Sequence, residues 1–330
     1  MTTYTINGAF RTFMLSSVRL PSTQVAAART SRDWLLKQVN GLSANDPAFP
    51  LLYPDAHLHF GSFARRTKCR PLDDIDLMVG IAALGGIYQD DGLGTCRIIL
   101  PDGHRLARCR DAEGFLNSRQ VVNQFTQSLA AVPSYRQATL NRRGSAAVLD
   151  LDSYPWVFDV VPAFLTTPEW DGRTYFLIPD GKGHWRKTDP RIDRDRATRI
   201  NQEHGGYVLD VVRLVKLWVK RKWGLQLGSY LTEALVLAYY STPGVSADQY
   251  MDSNLRDVLG GMATLVQSDV QDPKGIDGNI NHLSFTDRMK ASEAFSAAAT
   301  QCGEAIALEH SNPTKAVRLW QALLGEEFGA

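Results

Sequence analysis

The residues with the clearest capacity for chemistry are Gly61-Ser62 and, after eleven intervening residues, Asp74-Ile75-Asp76. The run Asp74-Ile75-Asp76-Leu77-Met78-Val79 predicts a strand, in which residues i and i+2 share a face. Asp74 and Asp76 then project together while Ile75 and Leu77 turn the other way. Adjacent carboxylates repel and raise each other's pKa unless a cation lies between them. A hard divalent metal satisfies that arrangement, and magnesium keeps coordination positions open for substrate phosphates. The glycine-serine turn upstream offers backbone N–H groups and a hydroxyl to such phosphates. Asp159, within Val157-Phe158-Asp159-Val160-Val161-Pro162, fits the role of a third carboxylate on a separate strand. The chemistry implied is metal-assisted transfer of a nucleotidyl group.

Other ligand-type residues carry less. Cys96, His104 and Cys109 match no established zinc spacing, and a hairpin with buried cysteines explains them. His57 and His59 share one strand face without further ligands nearby and read as a structural pair. Arg65 and Arg66 serve equally well as phosphate neutralisers or as surface ion-pair partners.

These residues need a scaffold, and the pattern of the chain supplies one. Apolar spacing predicts a helix over 24–42 and another over 118–131. Strands are expected at 56–60, 74–81, 146–150 and 155–161, with a hairpin over 97–108 turning at Pro101-Asp102-Gly103. A loop-rich passage runs from Thr166 to about Arg199 and includes Tyr175-Phe176-Leu177-Ile178-Pro179. Residues 207–222 then place Val208, Val211, Val212, Val215, Trp218 and Val219 at helical spacing, beside a basic stripe of Arg213, Lys216 and Lys220. Further helices are expected over 231–240, 251–267, 289–310 and 314–324. The fold class is α+β: a mixed-sheet core over 1–200, with an N-terminal helix, and a helical lobe over 201–330, with a cleft between them.

Composition narrows the partners. With 330 residues, 44% hydrophobic and 22% charged, the chain has an ordinary globular make-up. Its 36 basic and 35 acidic residues nearly cancel, which disfavours long nucleic acid as a partner. Four cysteines without paired spacing, no leader-like start and no apolar run of roughly 20 residues point to a cytoplasmic protein without a membrane anchor.

The segment from Gly61 to Val79 resembles the active-site signature of the polymerase-β nucleotidyltransferase superfamily. More narrowly, the chain resembles the CD-NTases, bacterial relatives of cyclic GMP-AMP synthase and oligoadenylate synthase found in CBASS antiphage systems. Arg65-Arg66-Thr67, Arg70-Pro71-Leu72, Arg142-Arg143-Gly144-Ser145, Asp159-Val160-Val161-Pro162, Tyr175 to Pro179 with Trp185, and Trp320, Gly325 and Phe328 carry that likeness in matching order. It implies a polymerase-β-like core in which Asp74, Asp76 and Asp159 are catalytic and hold two magnesium ions, with manganese as the alternative. It implies Gly61 and Ser62 on donor phosphates, Lys216 and Ser229 on the triphosphate, and Tyr230 stacked on a base. The activity implied is joining of ATP, GTP, UTP or CTP into a cyclic di- or trinucleotide, by a monomer. The small C-terminal pair Gly329-Ala330 fits either a frayed end or a tail acted on by an accessory protein.

Two other readings use the same residues. A template-independent nucleotidyltransferase would extend an RNA end or modify a protein or small molecule with the same triad. A non-catalytic nucleotide or partner sensor would keep the fold, although the presence of all three acids weighs against it.

Overall fold

The computed structural model describes residues 5–222 and 224–329. In chain order it forms α1 (Ile6–Phe13), α2 (Ser22–Asn45), β1 (Leu58–Phe60), α3 (Gly61–Ala64), β2 (Asp74–Gly80), β3 (Ile87–Asp90) and β4 (Cys96–Ile99). Then come α4 (Ser118–Ala130), β5 (Thr139–Arg143), β6 (Ala146–Asp150), β7 (Val157–Leu165), β8 (Phe176–Pro179) and β9 (Trp185–Thr188). The helices α5 (Pro190–Glu203), α6 (Val208–Arg221), α7 (Ser229–Tyr240), α8 (Met251–Leu265), α9 (Phe285–Leu308) and α10 (Pro313–Leu324) complete it.

Contacts divide these elements into two units. The sheet unit comprises Ser22–Ala64 and Leu72–Ile192; the helical unit comprises Met1–Pro21, Arg65–Pro71 and Asp193–Ala330. The sequence reading divides the chain once, near residue 200, with the whole N-terminus in the first part. The contacts instead group α1 and the short segment Arg65–Pro71 with the later helices. Ala330, half of the tail proposed for an accessory protein, lies outside the described residues.

In the sheet unit the order is β1-β2-β7-β8-β9-β4-β3, with β6 joining β5 to β7. Only β2 and β7 run parallel; the other pairings are antiparallel. β2 alternates as a half-buried strand should: Ile75 and Leu77 are buried while Asp74 and Asp76 are partly exposed. β7 repeats the pattern with Phe158 and Val160 buried around a partly exposed Asp159. The pairing of β7 with β6 ends at Val160 and that with β8 begins at Phe164, so Pro162 falls in the gap between antiparallel partners. Met78, Val148, Val161 and Ala163 form a small apolar core with Ala56, Ala146, Phe176 and Ile178.

The expected hairpin over 97–108 is half present. Its first strand is β4, but that strand pairs with β3, on its N-terminal side. Residues 104–109 turn instead, with Ala107 donating to the His104 carbonyl at 2.8 Å and Cys109 to that of Leu106 at 2.8 Å. The His104 Nδ1 also accepts from the Leu106 N–H at 3.1 Å, local side-chain chemistry that competes with a ladder. The passage from Thr166 to Arg199 is less irregular than its composition suggests, since it holds β8, β9 and most of α5.

The helical unit is built around α6. That helix is buried nearly all round: Leu209, Leu214 and Leu217 join the predicted apolar face, and Lys216 is buried with them. The expected basic stripe is therefore broken at its middle residue. Phe10 of α1 meets Trp320 of α10 at 4.9 Å and Phe328 at 4.8 Å, edge to face. Full burial of such side chains stabilises by about 1.5–3 kcal/mol each. Helix α1 and residues 320–328 thereby enter one core. Among the described residues, no helix is long and apolar enough to cross a membrane.

Candidate active site

The parallel pairing of β2 with β7 decides which carboxylates meet. Its register sets Asp76 opposite Asp159 and Asp74 opposite Val157. Paired residues in a sheet share a face, and so do residues two apart, so Asp74, Asp76 and Asp159 project from the same side. They occupy the N-terminal ends of both strands; further along, the same face turns apolar through Met78, Val161 and Ala163.

Gly61 explains the turn that precedes them. Its φ of +71° lies in the left-handed region, and a Cβ placed there would fall 1.7 Å from Asp76 Oδ2. The backbone of α3 thus approaches the carboxylate more closely than a side chain permits. Ser62 follows in that single turn, partly exposed. It stands in the sheet unit with the three acids.

Three like charges on one face need compensation, and Arg143 supplies part of it. Its Nη2 donates to both carboxylate oxygens of Asp159, at 3.1 and 3.0 Å. That bond and the negative field of Asp159, Asp74 and Asp76 hold the guanidinium above its ordinary pKa. Arg143 closes β5 beside Gly144, whose φ of +57° opens the hairpin turn into β6. The arginine remains 63% exposed at its side chain, so it is free to leave, while Asp159 is 16% exposed.

The donor set suits a hard divalent ion: three carboxylates on one face, beside a backbone turn that only glycine can make. Among the described residues, no three His, Cys, Asp or Glu side chains are already gathered into a metal-ligand cluster. The same statement covers the histidines and cysteines. His57 Nε2 lies 2.9 Å from Asn40 Oδ1 and its Nδ1 accepts from the Gly80 N–H at 3.0 Å, a structural role. Cys96 and Cys109 are buried free thiols, and burial pushes that of Cys96 up to about 11.

The other expected site residues belong to the helical unit. Ser229 is exposed at the first turn of α7, capped by Gly228. Lys216 is not exposed. Its Nζ donates to the Thr67 carbonyl at 3.0 Å and lies 3.6 Å from Glu233 Oε2. Burial pushes its pKa down, against the opposing pull of Glu233. Glu233, 2% exposed, also takes Arg65 Nε at 2.7 Å and the Thr67 hydroxyl at 2.7 Å. Burial alone would raise this carboxyl, but Arg65 outweighs it and holds it below the usual range. Arg65 is thus an interior ion-pair partner rather than a surface one.

Tyr230 is partly exposed, and its hydroxyl is enclosed by charge. It donates to Asp193 Oδ1 at 2.7 Å and accepts from Lys274 Nζ at 2.8 Å. Sequence reading missed Asp193, Asp272 and Lys274 here, and Glu233 and Arg143 in their roles. Glu233 left a signal: a single acid inside the apolar run of α7. The loop residues Asp272 and Lys274 left none, because a loop has no period against which to stand out.

No family model matches the chain. Over 326 residues it is 37% identical to a probable cyclic nucleotide synthase of Bacillus cereus (strain VD146), covering 98% of each protein. It is 24% identical to a cyclic AMP-AMP-AMP synthase of Escherichia coli (strain MS 115-1), covering 96% of this chain and 95% of that one. Its fold is similar to that of E. coli MS115-1 CdnC solved with ATP, with a TM-score of 0.69 at 19% identity over 98% of this chain and 99% of that one. CdnC in complex with HORMA-deltaN matches with a TM-score of 0.67 at 18% identity, over 98% of both chains.

Proposed function

This chain belongs to the CD-NTase family of cyclic nucleotide synthases, and on that premise we propose that it joins nucleoside triphosphates into a cyclic di- or trinucleotide with release of pyrophosphate. The observation that carries the reading is the register of β2 on β7, which sets Asp76 beside Asp159 with Asp74 on the same face. Family membership supports the rest of the proposal: a product that signals in antiphage defence, made in the cytoplasm by a monomer assisted by an accessory protein.

Asp74, Asp76 and Asp159 would hold two magnesium or manganese ions. When bound, such ions lower the pKa of an acceptor ribose hydroxyl and neutralise the leaving pyrophosphate. The protein's own contributions are positional. Gly61 lets the backbone of α3 lie against Asp76, and Ser62 offers a hydroxyl to donor phosphates. Arg143 balances the acids at rest and yields Asp159 when a stronger cation arrives. Ser229 is assigned to a triphosphate and Tyr230 to a base. Lys216 would first have to leave Thr67 and Glu233 to reach a phosphate.

Incubating the purified protein with the four ribonucleoside triphosphates and magnesium tests the proposal, with mass spectrometry of the products. A phosphatase-resistant cyclic product formed without added acceptor supports it. Pyrophosphate release that depends on added RNA, with no cyclic product, would replace it with the transferase reading.

A further inference from the structure

The Tyr230 hydroxyl is the meeting point of three charged side chains, all in the helical unit. It donates to Asp193 Oδ1 at 2.7 Å, accepts from Lys274 Nζ at 2.8 Å, and lies 3.4 Å from Asp272 Oδ1. Lys274 bonds Asp272 Oδ1 at 2.7 Å and approaches Asp193 Oδ2 at 3.9 Å. Arg65 stands over the ring, 5.8 Å from its centroid. Asp272 has a fully buried side chain, and its carboxylate also accepts the backbone N–H groups of Ile276 and Asp277 at 3.1 and 3.0 Å. Burial and Asp193 push the phenol's pKa up, so the hydroxyl keeps its proton and its role as donor.

Burying charges is costly unless each is paired and hydrogen-bonded. Here a lysine and two aspartates are desolvated around one phenol, far more than a tyrosine needs merely to satisfy its hydroxyl. The hydroxyl end is fixed, whereas the residue as a whole remains partly exposed. A pinned phenol cannot swing about χ1 without breaking two short hydrogen bonds, so the ring is held in one orientation before any ligand arrives. Ser229, the adjacent residue, is exposed at the start of α7.

We propose that Asp193, Asp272 and Lys274 are positioning residues that clamp the Tyr230 hydroxyl and so preorganise its ring as a platform for a nucleobase. This rests on the assignment of Tyr230 to a base in the proposed function. The gain is in binding: a fixed platform spares the ligand the entropy of ordering the side chain. Ground state and transition state benefit alike, so the effect falls on KM and leaves kcat little changed.

The test compares wild type, Tyr230→Phe, Tyr230→Ala and Asp193→Asn. Calorimetric affinity is measured for non-hydrolysable ATP and GTP analogues with magnesium, alongside KM and kcat for pyrophosphate release. Thermal unfolding of each variant checks that it is folded. Tyr230→Phe keeps the ring and removes the clamp, so affinity is expected to fall about tenfold, with KM rising in step. Asp193→Asn keeps an acceptor for the phenol and is expected to lose much less affinity than Tyr230→Phe. If Tyr230→Ala binds weakly while Tyr230→Phe matches wild type, the base platform survives and the clamp is refuted. If both variants match wild type, the platform assignment fails and takes the clamp with it.

Discussion

Gly61 and Asp76 are in closer contact than any other residue type at position 61 allows: a Cβ there would overlap the Asp76 carboxylate, 1.7 Å from Oδ2. The conformation is itself restricted, with φ at +71°. For Gly61→Ala the left-handed backbone alone costs about 1–2 kcal/mol. Asp76 must also move. Pyrophosphate release is expected to fall at least 100-fold, with a lowered Tm; near-normal turnover would mean that Asp76 need not stay where it is.

Asp76→Asn removes one negative charge from a face that carries three, and it preserves shape. Turnover is therefore expected to drop by roughly a factor of 1,000, a loss typical of removing electrostatic stabilisation of a transition state. The Tm should hold or rise in the absence of metal, because like-charge repulsion is relieved. A variant that loses activity and unfolds together would instead assign Asp76 a structural role.

Arg143→Ala separates compensation from catalysis. The guanidinium occupies Asp159 through two hydrogen bonds but is mostly exposed, so displacing it costs about 1 kcal/mol or less. Without it, magnesium is expected to bind roughly two- to fivefold more tightly by calorimetry, and the rise in Tm on adding magnesium should grow. Weaker metal binding in this variant would show that Arg143 supports the site rather than competing for it.

A pH effect is expected from the helical unit. Burial, with the nearby Asp252 carboxylate, raises the Glu309 carboxyl from its ordinary value to about 7. A group with a raised folded pKa binds its proton better in the native state. Its contribution to stability is complete below the unfolded value, about 4.5, and is lost as pH climbs through about 7. Because Glu309 is only partly buried, screening limits this to about 1–2 kcal/mol. The Tm should decline between roughly pH 5 and pH 8, and Glu309→Gln should flatten that slope. A slope identical in the variant would remove Glu309 as its source.

The acid-bearing face was readable because a strand has a period of two. Asp74-x-Asp76 and the buried neighbours Ile75 and Leu77 sufficed to place both acids on one side. That Asp159 would stand in register with Asp76 was a matter of resemblance, since strand pairing is set by tertiary contact. The basic stripe on α6 failed at Lys216 for the same reason. Helical spacing gives an angle, not a depth, and the buried Glu233 that draws the lysine inward comes from another helix. The strands β3 and β5, short and largely exposed, offered too little apolar contrast to be seen. The clamp on Tyr230 joins α5, α7 and a loop, so no local pattern announces it.

The interleaving of the two units limits how this protein can be dissected. The chain passes from one unit to the other at 21/22, 64/65, 71/72 and 192/193, so neither is a continuous stretch of gene. A single protease cut cannot release either one intact, and no simple truncation isolates the half that carries the acids. To express the sheet unit alone, one would have to delete Met1–Pro21 and Asp193–Ala330 and also splice Ala64 to Leu72 across an excised heptapeptide. That splice falls between Ser62 and Asp74, within the very segment on whose spacing the proposed chemistry rests.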